Sequence, residues 1–367
     1  MKTKILATAL AAFSLCANAN AQSPTDQSQR EPTNSAIDTG IAFHIAGYAD
    51  LAYSGSQASD DSYLFGTLAP ILHAQIGDSV FLEAELELEA NSLGERETGI
   101  EYANVNVLIG DNAALVVGKF LSPVGYYFQN LHPSWINRTA SAPVGFGHGG
   151  AAPLSEVGIQ LRGGKIFSGG QHLNYALYGG NGPDLMIEDE DAPDLDTGGD
   201  TDNEDGERSF GGRVGWMPVA KVELGLSAAR GDVALLDAAM STDEPSRSYR
   251  VDGFDVAWKP TPSLDLRAEW IRQRIGSAAG SALPEQATWR AWYAQAAYRF
   301  ESGKWEAVFR YGDAKTPHGE STLSQTAIGL NYLFQPRSTL KLTLEFNDSI
   351  DEEAGRDRFI LQYAYAL

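Results

Sequence analysis

The sequence predicts an all-β protein, a transmembrane antiparallel β-barrel of about sixteen strands. Three observations carry that expectation. Apolar and polar residues alternate with a period of two along most of the chain. Tight turns alternate with longer polar loops. Aromatic residues gather beside the points where strands would end. The stretch "FLEAELELEA" (81–90) shows the first observation most plainly. On a helix, Glu83, Glu85, Glu87 and Glu89 would scatter around the circumference. On a strand all four point one way, and Leu82, Leu86 and Leu88 point the other.

The first residues read as targeting. Lys2 and Lys4 precede an apolar run (5–15) and the small residues "ANANA" (17–21), the pattern of a secretory signal peptide spanning 1–21. The apolar run is too short to cross a bilayer as a helix. The only cysteine, Cys16, falls inside this segment, so the mature chain would carry no thiol. Disulfides, zinc–thiolate sites and cysteine nucleophiles are thereby excluded. Residues 22–40 are polar, hold Pro24 and Pro32 and lack periodicity; they read as a flexible periplasmic leader ahead of a barrel over 41–367. The formal charge of −21 argues against a nucleic-acid partner, which would require a basic patch.

Strands are expected at 41–53, 62–76, 79–91, 97–109, 112–120, 154–164, 170–179 and 208–217. Eight more follow at 220–230, 249–258, 263–275, 287–300, 304–313, 322–334, 338–347 and 357–367. "TLKLTLEFN" (339–347) and "KWEAVFRYG" (304–312) repeat the zigzag, whereas "YRVDGFDVAW" (249–258) breaks phase and suggests a bulge near Gly253. "GDN", "KIFSG", "MPV", "KPTP", "ESG" and "QPR" are tight turns, while 54–61, 121–153, 180–207, 231–248, 276–286, 314–321 and 348–356 are mostly longer. That asymmetry is expected of a barrel in the bacterial outer membrane, with short periplasmic turns and long extracellular loops. A soluble β-sandwich also alternates, but its loop lengths need not. Trp216, Trp258, Phe300 and Phe334 lie beside short turns, and Tyr53, Tyr249 and Tyr311 near long loops, as two aromatic belts would require. The partners expected of such a surface are outer-membrane lipid and lipopolysaccharide.

About sixteen strands enclose water. Strand phase puts Lys119, Arg162, Arg213, Arg267, Arg299, Arg310 and Lys341 on the inner face as pore-lining cations. Glu83, Glu85 and Glu87 line the pore as acids, with Asp255, Asp265, Glu269, Glu306 and Glu345 in the same phase. Neither sign dominates. These charges could set ion selectivity or simply pair across strands. In the long connection 121–153, His132, Arg138 and His148 are candidates for lining a constriction.

"GKFLSPVGYYFQNLHPSWINR" (118–138), "PVGFG" (143–147) and "LSEVGIQLRGG" (154–164) resemble bacterial outer-membrane porins related to the phosphate-selective porin group. The resemblance implies a passive-diffusion channel for small hydrophilic solutes or ions, often a homotrimer, with a long inward-folded loop and no cofactor. The chain departs from that group by ending in Leu367, where many such barrels end in phenylalanine, and by lacking a run of lumenal arginines.

Two other signals ask for chemistry. Residues 184–207 hold twelve acidic residues and no basic one, a solvated loop or a cation-collecting mouth; "DTDNEDGE" (200–207) misses the calcium-loop spacing by one position. Ser134, Ser141, His132 and His148 are close in sequence and would serve a barrel hydrolase, but no nucleophile elbow or metal-ligand spacing accompanies them. No catalytic residue and no metal ligand is therefore expected. A closed barrel whose loops bind a surface partner is the remaining alternative.

Overall fold

Period-two alternation gives each strand one apolar face, and a sheet escapes unpaired edges in hydrocarbon only by closing on itself. A computed structural model describes residues 40–56, 62–90, 96–147, 149–188, 192–236, 244–317, 322–351 and 354–367. The targeting segment and most of the leader lie outside the described residues. The first half of the barrel comprises β1 (Ile41–Ser56), β2 (Ser62–Ile76), β3 (Val80–Ala90), β4 (Arg96–Ile109), β5 (Ala113–Leu121), β6 (Ser155–Ile166) and β7 (His172–Gly180). A separate hairpin, β8 (Asp184–Glu188) and β9 (Ala192–Asp196), intervenes. The wall resumes with β10 (Ser209–Val219), β11 (Val222–Val233), β12 (Arg247–Thr261), β13 (Leu264–Ile275) and β14 (Ala287–Arg299). It ends with β15 (Trp305–Lys315), β16 (Thr322–Gln335), β17 (Ser338–Ser349) and β18 (Arg358–Ala366).

All neighbours are antiparallel. The sheet closes where β18 pairs with β1, from Tyr48 opposite Ala366 to Ser56 opposite Arg358. The sixteen wall strands coincide with the sixteen expected from alternation, with boundaries shifted by a few residues. Hairpin β8–β9 and a one-turn helix, α1 (Tyr127–Leu131), are additions inside long loops.

The outer face is apolar. Leu82, Leu86 and Leu88 are 36–38% exposed on it, while Glu85 behind them is 1% exposed. At the short-turn end, Trp305 of β15, Tyr332 and Phe334 of β16 and Tyr363 of β18 follow one another in edge-on contacts, at centroid distances of 4.8, 4.7 and 6.3 Å. Trp216, Trp258, Phe300 and Phe334 are all exposed there, so one aromatic belt is present. Tyr53 and Tyr311 stand outward near the other end. Tyr249 does not: it is buried inside the wall, and its hydroxyl donates to Gln273 Oε1 at 2.9 Å.

Nor is there a bulge at Gly253. Pairing runs unbroken through it on both sides, and the register shifts fall instead at Glu85/Leu86 and beside three short turns. At the first shift Glu85 faces Tyr102 and Leu86 faces Ile100, leaving Glu101 as the extra residue.

The interior carries its own apolar core. Val124, Tyr126, Tyr127, Leu131, Val144 and Phe146 of the long loop pack against Val251, Ile271, Trp289 and Tyr293 of the wall. Hairpin β8–β9 adds Leu185 and Leu195, which join Val233 and Leu235. The hairpin is held by the Leu236 amide donating to the Leu185 carbonyl at 2.8 Å. Its return strand leads to the Thr197 carbonyl, which receives the amides of Leu154 and Ser155.

Candidate functional site

The connection after β5 folds into the lumen. It runs inward because the wall offers polar anchors where strand phase places them. At its start, Glu269 on β13 accepts the amides of Tyr126 (2.7 Å) and Tyr127 (3.1 Å), and Ser227 on β11 accepts that of Gly125 (3.0 Å). Gly125 has φ +89°, and a Cβ there would sit 2.4 Å from Glu269 Oε1, so the close approach requires glycine. Further along, Gly145 (φ +73°) lets the backbone lie on Ala291 and Ala314, where a Cβ would come within 2.8 Å of both methyls.

Arg310 on β15 is the densest anchor. It donates to Thr139 Oγ1 (2.6 Å), the carbonyls of Ser141 and Ala142 (both 2.9 Å), Ser141 Oγ and Gln325 Oε1 (both 3.0 Å), and is 2% exposed. Lys341 on β17 is 1% exposed and donates to the carbonyls of Ser134 and Thr139 and to Gln362. Arg138 reaches from the loop to Glu306 (2.7 Å) and lies 3.9 Å from Asp265. Asn331 donates to the Arg138 carbonyl at 2.8 Å.

The remaining wall cations are paired as well. Arg213 grips Asp255 through two nitrogens (2.8 and 2.6 Å) and Glu223 at 3.1 Å, with Tyr126 stacked 5.2 Å away. Arg267 forms a two-pronged bond with Asp265 (2.8 and 3.0 Å). Arg299, at the short-turn end, lies 3.5 Å from Glu306 and stays 43% exposed.

Lys119 is the exception among the expected pore-lining residues, because it faces outward. On β5 the inward phase belongs to Val116, Gly118 and Phe120; Val116 and Phe120 are buried, and Phe120 packs edge-on against Tyr178. Lys119 therefore shares the outer face with the exposed Val117. The cause is that this segment is apolar on both faces, since the long loop covers its inner side.

Opposite the anchors stands an acidic wall. Glu83, Glu87 and Glu101 are half-buried around the β3–β4 bulge, with the Glu87 and Glu101 carboxyls side by side. Glu85 is shut in beside the Tyr48 and Tyr102 hydroxyls and the His132 ring. Arg162 enters from β6, 4.0 Å from Glu83 and donating to Asn106 Oδ1 at 2.5 Å; His73 lies 3.9 Å from Glu83 and stacks on His44. A strict period of two turns Glu101 outward; only the bulge brings it inside.

His148 lies outside the described residues. His132 donates through Nδ1 to the Phe128 carbonyl at 2.5 Å, while Ser141 donates to Glu345, so these two do not pair with each other. Asp184, at the mouth, has its carboxyl pushed up to about 7 by burial and by Asp205, Asp200, Asp196 and Glu204 around it. Among the described residues no cluster of three or more histidine, cysteine or acidic side chains could hold a metal ion.

A closed sheet with an apolar outer belt, a charged inner face and a loop folded into the bore is a porin-like outer-membrane barrel. No protein-family model matches the chain, and no curated protein matches it. Solved structures do. The outer-membrane channel DcaP of Acinetobacter baumannii is 11% identical over 90% of this chain and 98% of that one, with a TM-score of 0.58. An anion-selective porin from Comamonas acidovorans is 14% identical over 89% and 100%, TM-score 0.58, and Salmonella typhi OmpF in complex with daunomycin is 12% identical over 90% and 99%, TM-score 0.59. The likeness is one of fold.

Proposed function

We propose that this protein is an outer-membrane porin, a homotrimer whose subunits pass small hydrophilic solutes and ions by passive diffusion, with a preference for cations. One observation supports that preference. Arg213, Arg267, Arg310 and Lys341 are buried in ion pairs or in bonds to the loop. The opposite wall presents Glu83, Glu87 and Glu101 against Arg162. Charge that water can reach governs permeation, while charge neutralised by a buried partner does not. In this reading the pore-lining role falls to Glu83, Glu87, Arg162 and Arg299. Arg138 borders the passage from the loop side, and Glu85 stiffens the acidic wall from behind. The acidic stretch 184–207 at the mouth adds to the bias by concentrating cations. The homotrimer follows the resemblance of 118–164.

Purified protein in a planar bilayer, under a tenfold potassium chloride gradient, should give discrete current steps. Their reversal potential should take the sign of cation permeation. A reversal potential of the anion sign would refute the selectivity while leaving the channel in place; absence of steps would refute the channel.

A further inference from the structure

Polarity inverts on one part of the barrel. At the long-loop ends of β11–β15 the inner face is apolar, filled by the loop core, and the outer face is charged. Six cations stand outward there: Arg230, Arg250, Arg272, Arg274, Arg290 and Lys315. Three carboxylates share that face, Asp232, Asp252 and Asp313. Asp252 already serves three arginines, at 2.5 Å (Arg230), 3.4 Å (Arg272) and 3.3 Å (Arg274), and Asp313 lies 3.7 Å from Arg290. Four cross-strand neighbours pair like with like: Arg230 with Arg250, Arg250 with Arg274, Arg272 with Arg290, and Arg290 with Lys315. Like charges directly opposite each other destabilise a sheet. A face that repeats the arrangement four times is built for an anion from outside.

Two residues toward the membrane on β13 and β14, the same face changes character. Trp270 stands opposite Trp292, and Ala268 opposite Ala294. Together with Phe254 they form a shallow groove of about 530 Å³, floored by the two alanines and rimmed by Arg290. Arg272 lies over the Trp270 ring at 5.5 Å, and Tyr311 meets Trp292 edge-on at 5.6 Å. Tryptophans mark the boundary between hydrocarbon and headgroups, and a lipid-facing arginine is tolerated near that boundary, not at the midplane.

We propose that this face binds one phosphorylated lipid of the outer leaflet. The guanidinium groups of Arg272 and Arg290, with their cationic neighbours, take its phosphate oxygens, for which their planar forks are suited. One acyl chain lies in the groove between Phe254, Trp270 and Trp292. The site requires the barrel to be embedded in a membrane but not that it conduct.

The test uses the full barrel in detergent, titrated with diphosphoryl lipid A and followed by native mass spectrometry, with dephosphorylated lipid A and inorganic phosphate as comparison probes. The wild type should retain diphosphoryl lipid A. R272Q/R290Q should bind it about tenfold more weakly. A294W, which fills the groove from the lipid side, should weaken retention of both lipids. Circular dichroism and heat-modifiable gel mobility should be unchanged in both variants, which shows the barrel intact. Equal retention by R272Q/R290Q, or equal binding of the dephosphorylated lipid, would overturn the proposal. So would complete displacement by inorganic phosphate, the mark of a free-anion site, or a change of oligomeric state, the mark of a subunit contact.

Discussion

Replacing Arg310 with alanine should undock the middle of the inward loop and enlarge the conducting step. Its guanidinium makes five hydrogen bonds, four of them to Thr139, Ser141 and Ala142, and lies 3.9 Å from Glu345 in a buried setting. Removing one partner from a buried charge network costs about 3–5 kcal/mol, because the acceptors left behind have no water to replace the donor. That moves the docked-to-undocked ratio by about two to four powers of ten. Glu269 still holds the loop at Tyr126 and Tyr127 and Lys341 holds it at Ser134 and Thr139, so the barrel itself should assemble. Single-channel recordings should show larger and noisier steps, and amide exchange over 134–146 should accelerate. Unchanged conductance together with unchanged exchange would mean that the loop does not owe its position to this residue.

Reversing charge on the facing wall should have an equally large effect on selectivity. Glu83 and Glu87 sit four residues apart on the lumenal face of β3, and with Glu101 they outnumber Arg162 three to one. E83K/E87K replaces two of those acids with bases and turns the local excess from acidic to basic. A confined aqueous path lined by one sign concentrates counter-ions about tenfold or more, so the cation-to-anion permeability ratio should fall by about that factor. The reversal potential should then cross zero. If it held its original sign, the passage would have to lie elsewhere in the lumen.

The fold was legible because a barrel in lipid obeys one rule along its whole wall. Wherever the outer face meets acyl chains and the inner face meets polar groups, period-two alternation assigns both, as in Leu82–Glu83–Ala84–Glu85. It fails where the inner face meets protein. In "AALVVGKFL" (113–121), Val116 and Phe120 face the loop core and Val117 faces outward, so alternation carries no phase there and points Lys119 to the wrong side. In "YRVDGFDVAW" (249–258), Tyr249 and Val251 point into that core while Arg250 and Asp252 point out, and polarity changes sides without any bulge. Long-range packing decides both cases, and no local window contains it. The anchoring of Arg310 and Lys341 was equally hidden: strand phase gives their direction inward, but not the loop that covers them.

The most direct measurement places a thiol on each side of the wall in turn. The only cysteine of the chain is Cys16, within the expected signal peptide, so single introduced thiols can be read without background. E87C should lose current stepwise when a charged, water-soluble methanethiosulfonate reagent is added to the bath, and L86C should not respond. Equal modification of L86C, or an E87C current indifferent to the reagent, would contradict an oily exterior wrapped around a conducting aqueous path.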